Sequence, residues 1–314
     1  MPNLLSVIIP TYKRKESLLL LLKALLVQKE VLPEIIVVDQ NPPGFLDGYI
    51  PAAANIRHLR LEKPNASDAR NKGFIATSGE IILFIDDDLL PEVDFCSKGL
   101  KIFHDYPSIG CFSPLVYNAE GKELAVRQAK DKLIRVLDGD PDIFSITDTI
   151  SAALFFRRSY YRQTGGFDPM LFDFARTAED QEFFLRMRRR GQVLYYVPSV
   201  VVFHDETVPG GCDLRTTQYW ITRDKCMRSW AYRYRIHHTV PGRLSVKDIL
   251  KLSRSGFLNR EGLSSGVKIF RQIDLLAKAI RTSGAFLKNK LALYLPPERM
   301  DHLHDEGAEP IYVK

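Results

Sequence analysis

The sequence predicts an α/β fold, a mostly parallel sheet with helices on both faces, followed by a helical C-terminal extension. Three observations carry this reading. Short apolar runs, Ser6–Pro10, Glu34–Asp39 and Glu80–Asp86, recur between stretches of helical length. Two of the runs end in an acid, Asp39 and Asp86. Beyond about Gly210 the strand pattern gives way to helical patterns rich in Arg and Lys.

In chain order, Ser6–Pro10 is a buried strand closed by Pro10, and Leu-rich Glu16–Gln28 has helical length. Glu34–Asp39 is a second buried strand, after which Pro42, Pro43 and Gly44 break the chain. Ile56–Leu61 reads as a third strand. Ser67–Ser78 reads as a helix with Ser67 as N-cap and Gly79 as stop, and Glu80–Asp86 is the fourth strand. Strands alternating with helices imply a mostly parallel sheet, and such sheets bind ligands at the carboxyl ends of their strands. The pattern weakens from Val116 to Asp148, and Thr149–Phe156 is strand-like again. Glu179–Arg190 is a helix with acids first, arginines in its last turn and Gly191 after it, the order that suits the helix dipole and a glycine stop. Gln192–His204 is strand-like. In Val267–Arg281, Ile269, Phe270, Ile273, Leu276, Ala277 and Ile280 share one face of a helix whose other positions carry charge. The chain thus divides into an α/β domain (1–210), a basic helical extension (211–300) and a loose tail (301–314).

The 314 residues, 45% hydrophobic and 26% charged, have the composition of a folded globular chain. The four cysteines form no Cys-x-x-Cys pair, which argues against a zinc or iron–sulfur centre and fits a reducing compartment. No basic segment precedes a hydrophobic core at the N-terminus, so no signal peptide is expected. The most apolar stretch, Leu18–Val27, is shorter than the roughly 20 apolar residues that span a bilayer. These features point to the cytoplasm. The net charge of +6 suggests an anionic partner: nucleic acid, anionic lipid or a phosphorylated substrate.

The acidic triplet Asp86-Asp87-Asp88 is the strongest chemical signal. Three adjacent carboxylates repel one another, and a hard divalent cation bound through oxygen would compensate them. In an extended chain Asp86 and Asp88 would share one side and Asp87 the other. The alternative is a solvated acidic turn that starts the next helix.

The ordered segments Pro10-Thr11-Tyr12, Val38-Asp39, Ala69-Arg70-Asn71-Lys72-Gly73 and Phe84-Ile85-Asp86-Asp87-Asp88 together resemble glycosyltransferase family 2. Gly165-Gly166-Phe167-Asp168, Ala178-Glu179-Asp180 and Arg186–Gly191 continue the likeness, which runs from about Leu4 to Glu206. The resemblance implies a GT-A nucleotide-binding sheet and inverting sugar transfer from a nucleoside-diphosphate sugar. It places Pro10, Thr11 and Tyr12 against the nucleoside, Asp39 on the base, and Arg70 near the base and phosphates. Asp86 falls near the ribose and metal, Asp88 becomes a direct metal ligand, and His204 a third one. Asp180 becomes the general base, with Glu179 in support. Where the segment after Asp39 often reads Asp-Gly-Ser in such proteins, it is Gln40-Asn41-Pro42 here, which leaves the nucleoside contacts of that loop and the identity of the base open.

The implied cofactor is a divalent cation, Mn2+ or Mg2+. Carboxylate and phosphate oxygens suit both, and an imidazole ligand favours manganese. The implied partners are a nucleoside-diphosphate sugar and a saccharide or lipid-linked saccharide acceptor, as in surface polysaccharide or glycolipid synthesis, with no nucleic acid. The basic extension either packs on the α/β domain or rests on the inner face of an anionic membrane. Two other functions fit in part. A nucleotidyltransferase that makes sugar nucleotides would carry a Gly-rich basic N-terminal signature, whereas Pro10-Thr11-Tyr12 stands there. A non-catalytic module for anionic polymer or membrane would not need Asp86-Asp87-Asp88 and Glu179-Asp180 intact.

Overall fold

The structure, a computed structural model, describes residues 4–124, 135–137, 140–167, 169, 179–211 and 311–312. β1 (Leu5–Thr11), α1 (Lys15–Leu26), β2 (Glu34–Asp39), β3 (Ile56–Arg60), α2 (Ala66–Ala76) and β4 (Ile81–Ile85) come first. They are followed by β5 (Leu89–Pro91), α3 (Phe95–Asp105), β6 (Cys111–Tyr117), β7 (Arg135–Leu137), β8 (Asp140–Ile146), β9 (Ala153–Arg157) and α4 (Arg158–Thr164). Then come α5 (Glu179–Arg189), β10 (Leu194–His204) and β11 (Ile311–Tyr312).

All the described strands join one sheet in the order β11-β3-β2-β1-β4-β9-β6-β10-β8-β7, with β5 pairing off the path onto β10. The parallel expectation holds for β3, β2, β1 and β4. The other half is mixed: β9 runs antiparallel between β4 and β6, whereas β6 and β10 are parallel. β1, β2 and β4 are buried along their whole length, as strands covered on both faces must be.

Alternation along β9 shows what covers each face. Phe155 packs against Phe95 of α3 and stacks on Phe112, with centroids 5.3 and 4.8 Å away. Its neighbour Phe156 meets Tyr161 of α4 and Phe183 of α5 on the opposite face. α2 lies on that second face, so close that a Cβ at Gly73 would stand 2.4 Å from Ile8 Cγ2.

Helix α2 begins at Asn65 rather than at the expected Ser67. The Asn65 side chain accepts from the Asp68 amide at 3.0 Å and also donates to the Pro169 carbonyl, while Ser67 is buried in the first turn. Cys212 and Cys226, the 212–300 part of the basic extension, and Asp168 and Ala178 of the acidic motifs lie outside the described residues. Within the segment read as a loose tail, Ile311 and Tyr312 pair with Arg60 and Leu59 and add a short antiparallel edge strand.

Candidate active site

The carboxyl ends of β1, β2 and β4 lie side by side, because Thr11 pairs with Asp39 and Ile8 with Phe84. After β4 the chain turns instead of extending: the Leu89 amide donates to the Asp86 carbonyl, and Asp87 and Asp88 form the turn. This corrects the simple alternation of the triplet. Asp87 and Asp88 are both buried and both face Arg14, whose Nη1 lies 3.2 Å from Asp87 Oδ1 and 2.6 Å from Asp88 Oδ2. Asp86 turns the other way, and Arg70 Nη2 donates to its Oδ1 at 2.9 Å.

His204 reaches the triplet through the sheet. β5 continues from Asp88 and runs antiparallel to β10, so Leu89 pairs with His204 and the Asp205 amide donates to the Asp88 carbonyl. His204 Nε2 comes within 3.2 Å of Asp88 Oδ2. Burial opposes charge on His204, but Asp88, Asp86 and Glu206 outweigh it and raise its pKa. Burial likewise opposes the Arg14 charge, and Asp88 and Asp87 more than restore it. Burial pushes the Asp87 carboxyl up to about 7 against the pull of Arg14 and the Thr11 hydroxyl.

Arg70, on α2, is the centre of a second cluster. It is buried, its guanidinium lies over the Phe167 ring, and its Nε and Nη1 have no hydrogen-bond partner among the described residues. Asp86, Asp180 and Glu179 surround it closely enough to hold its charge against burial. Burial drives the Glu179 carboxyl up to about 7, Asp180 adds to the rise, and Arg70 pulls against it. Asp86 is also raised, by burial first, despite Arg70. Helix α5 therefore brings Glu179 and Asp180 to the same ends of the strands as Asp86. Two buried tethers fix this arrangement. Asn71 binds the Phe167 amide and carbonyl and the Tyr161 hydroxyl, and Arg186 donates to the Thr164 and Gly166 carbonyls.

Of the residues expected at the nucleoside, Pro10 and Thr11 end β1, and the Tyr12 carbonyl accepts from the Gly211 amide. Asp39 is enclosed. Its Oδ1 accepts from the Asn41 amide and side chain, both at 2.8 Å, and its Oδ2 lies 3.0 Å from His58 Nε2. Both oxygens of this carboxylate are thus occupied by protein partners.

The sequence reading missed Arg14, His58 and Asn41. The contacts that distinguish them reach across the fold, from residue 14 to residue 87 and from residue 39 to residue 58, so no local pattern marks Arg14 or His58. Asn41 is marked in the sequence only as part of a loop that departs from the resembled family's, and its bonds to Asp39 are not foreseen there.

Among the described residues, no three His, Cys, Asp or Glu side chains gather closely enough to hold a metal by themselves. Asp88 and His204 do offer an oxygen and a nitrogen ligand side by side, and Asp88 Oδ1 is buried without a hydrogen-bond partner among the described residues. That donor pair fits a hard cation that takes its other ligands from phosphate and water.

A sequence model described as Glycosyl transferase family 2 matches residues 6–165. A pre-mycofactocin glycosyltransferase of Mycobacterium tuberculosis is 27% identical over 181 residues, 54% of this chain and 37% of that protein. An uncharacterized glycosyltransferase of Haemophilus influenzae is 31% identical over 109 residues, 34% of this chain and 36% of that protein. The matches thus span little more than a third of either relative. A crystal structure of GalNAc-T7 with UDP, GalNAc and Mn2+ shares the fold over 81% of this chain and 55% of that one, with a TM-score of 0.53 and 15% identity.

Proposed function

Since the chain belongs to glycosyltransferase family 2 and has its GT-A fold, we propose that it transfers a sugar from a nucleoside-diphosphate sugar to an acceptor hydroxyl with inversion. The observation that carries this reading is Arg70. A buried guanidinium with two donors unused among the described residues, set beside Asp86, is a seat for an anionic oxygen. It lies between the acids at the end of β4 and those at the start of α5.

In this reading Pro10, Thr11 and Tyr12 line the nucleoside position. Asp39, held by His58, serves the base once Asn41 yields. Arg70 holds phosphate, and Asp86 lies between phosphate and ribose. Asp88 and His204 would hold Mn2+ or Mg2+, with Asp86 in support. When bound, the ion would neutralise the charge that develops on the diphosphate leaving group. Asp180 takes the proton from the acceptor hydroxyl as that oxygen attacks the anomeric carbon, and the sugar–phosphate bond breaks on the opposite side. One base and one direct displacement give inversion. Glu179 sits beside Asp180 as a carboxyl that burial and the Asp180 charge help to keep protonated.

The acceptor proposed is a saccharide or lipid-linked saccharide, as in surface polysaccharide or glycolipid synthesis. Among the described residues no helix is long and apolar enough to cross a membrane. Peripheral contact through the basic extension would instead keep a lipid-linked acceptor near the site.

A donor screen tests the function. The protein is incubated with a panel of sugar nucleotides and Mn2+, and nucleoside-diphosphate release is measured beside Asp88→Asn. Release from one donor, lost in the variant, is expected. If no donor is cleaved above the level of the variant, the reading fails.

A further inference from the structure

We propose that Arg14 is a tethered cation seated on Asp88 Oδ2, and that a divalent ion shared by this oxygen and His204 binds only by displacing it. The inference rests on the assignment of Asp88 as a metal ligand. Arg14 Nη1 bridges Asp88 Oδ2 at 2.6 Å and Asp87 Oδ1 at 3.2 Å, and both carboxylates are only 4% exposed. His204 Nε2 lies against the same Asp88 oxygen at 3.2 Å. The guanidinium thus supplies the positive charge that these buried acids require. Two cations on one carboxylate repel each other, so Arg14 and a metal ion exclude one another at Oδ2.

Arg14 is also held from behind. The Gly211 amide donates to the Tyr12 carbonyl at 2.9 Å, and this brings the loop after β10 onto the guanidinium. A Cβ at Gly211, which has φ +70°, would stand 2.9 Å from Arg14 Cζ. A Cβ at Gly210, with φ +112°, would stand 2.5 Å from the Lys13 carbonyl oxygen. Both glycines are thus required by the close approach of this loop to Lys13 and Arg14. A cavity of about 400 Å³ adjoins Arg14, and Glu16, Asp205 and Thr207 are among its lining residues. It gives the displaced guanidinium room, and Glu16 and Asp205 offer it new carboxylate partners.

Metal affinity measured without nucleotide reads this directly. Mn2+ is titrated, and free ion is followed by its paramagnetic resonance signal, for the unaltered protein, Arg14→Met, Arg14→Lys, Asp88→Asn and the double variant Arg14→Met/Asp88→Asn. If Arg14 covers Asp88 in most molecules, apparent affinity is divided by the small open fraction, so Arg14→Met should bind Mn2+ about tenfold tighter or more. Arg14→Lys, which keeps the charge on a shorter reach, should fall between. The gain should vanish in the double variant. A folded Arg14→Met that binds Mn2+ no tighter than the unaltered protein overturns the proposal. Should Arg14→Met fail to fold, Arg14→Lys decides: tighter binding supports the proposal, and equal or weaker binding overturns it. A gain that persists in the double variant puts the ion elsewhere, and the Asp88 assignment falls together with the inference built on it.

Discussion

Asp180 and Glu179 open the same helix turn, yet their expected effects on substitution differ in kind. Asp180→Asn should leave donor affinity nearly intact and lower turnover by roughly two to four orders of magnitude, because a general base acts in the transition state. Steady-state kinetics with a fixed donor check this, and a variant that loses donor binding but keeps its turnover would move Asp180 to the donor side. Glu179→Gln should instead change the pH dependence of stability. The folded Glu179 carboxyl is raised to about 7 from 4.5, so the folded protein retains a proton that the unfolded chain releases. Its contribution to stability therefore falls as pH rises from about 4.5 to about 7 and is flat above. Melting temperatures across that range should decline less with rising pH in Glu179→Gln, and parallel curves would refute the shift. The triplet and the Glu179-Asp180 pair could be picked out in the sequence because acids at strand and helix ends are local features, but a role for Asp180 came only with the family resemblance. Arg14 could not, since between Lys13 and Lys15 it looks like a solvated surface charge. Only the turn at Asp87 and Asp88, more than seventy residues away in sequence, makes it half-buried and paired.

Helix α2 carries Arg70 and Asn71 on a bed formed by β1 and β2. Gly73→Ala would force a methyl to within 2.4 Å of Ile8 Cγ2 and 3.1 Å of Val38 Cγ2, and such overpacking costs about 1–3 kcal/mol. Urea unfolding should show a lower midpoint at unchanged slope, and an unshifted midpoint would mean that α2 lifts freely. Arg186→Met removes two hydrogen bonds from a buried guanidinium, to the Thr164 carbonyl at 2.7 Å and the Gly166 carbonyl at 2.6 Å. A loss of about 2–4 kcal/mol is expected, also read by urea unfolding, because bonds to charged donors are the stronger kind. β1, β2 and β4 were legible because strands buried on both faces read as continuous apolar runs. β5 was not, as its three residues, Leu89–Pro91, carry no period. Ser67 and Asn65 are equally good caps by residue type, and Asn65 is the cap because its backbone and side chain are also bound by Gln40 and Pro169.

At the scale of the whole molecule, alternating strands and helices identified the class of the sheet but not its full order. Thr149–Phe156 reads as a strand in either direction, and only its long-range partners make β9 antiparallel between β4 and β6. The basic extension leads to a prediction at this scale. The protein should sediment with anionic vesicles but not neutral ones, and high salt should release it, since each basic residue near an anionic surface contributes about 1 kcal/mol that salt screens. No binding to anionic vesicles at low salt would favour a saccharide acceptor free in solution. The position of β9 also bears on how the protein is made. The Asp86 amide is held by the Ala152 carbonyl, and Ile85 pairs with Ala153, so the acidic turn is pinned by residues translated 66 positions later. At ribosomal speeds of about 5–20 residues per second, β1 to β4 emerge roughly 3–13 s before their antiparallel neighbour. A sheet formed from β1 to β4 alone in that interval would carry β4 as an open, wholly apolar edge that ends in unpinned carboxylates. Such an edge is a template for chaperones and for other nascent chains.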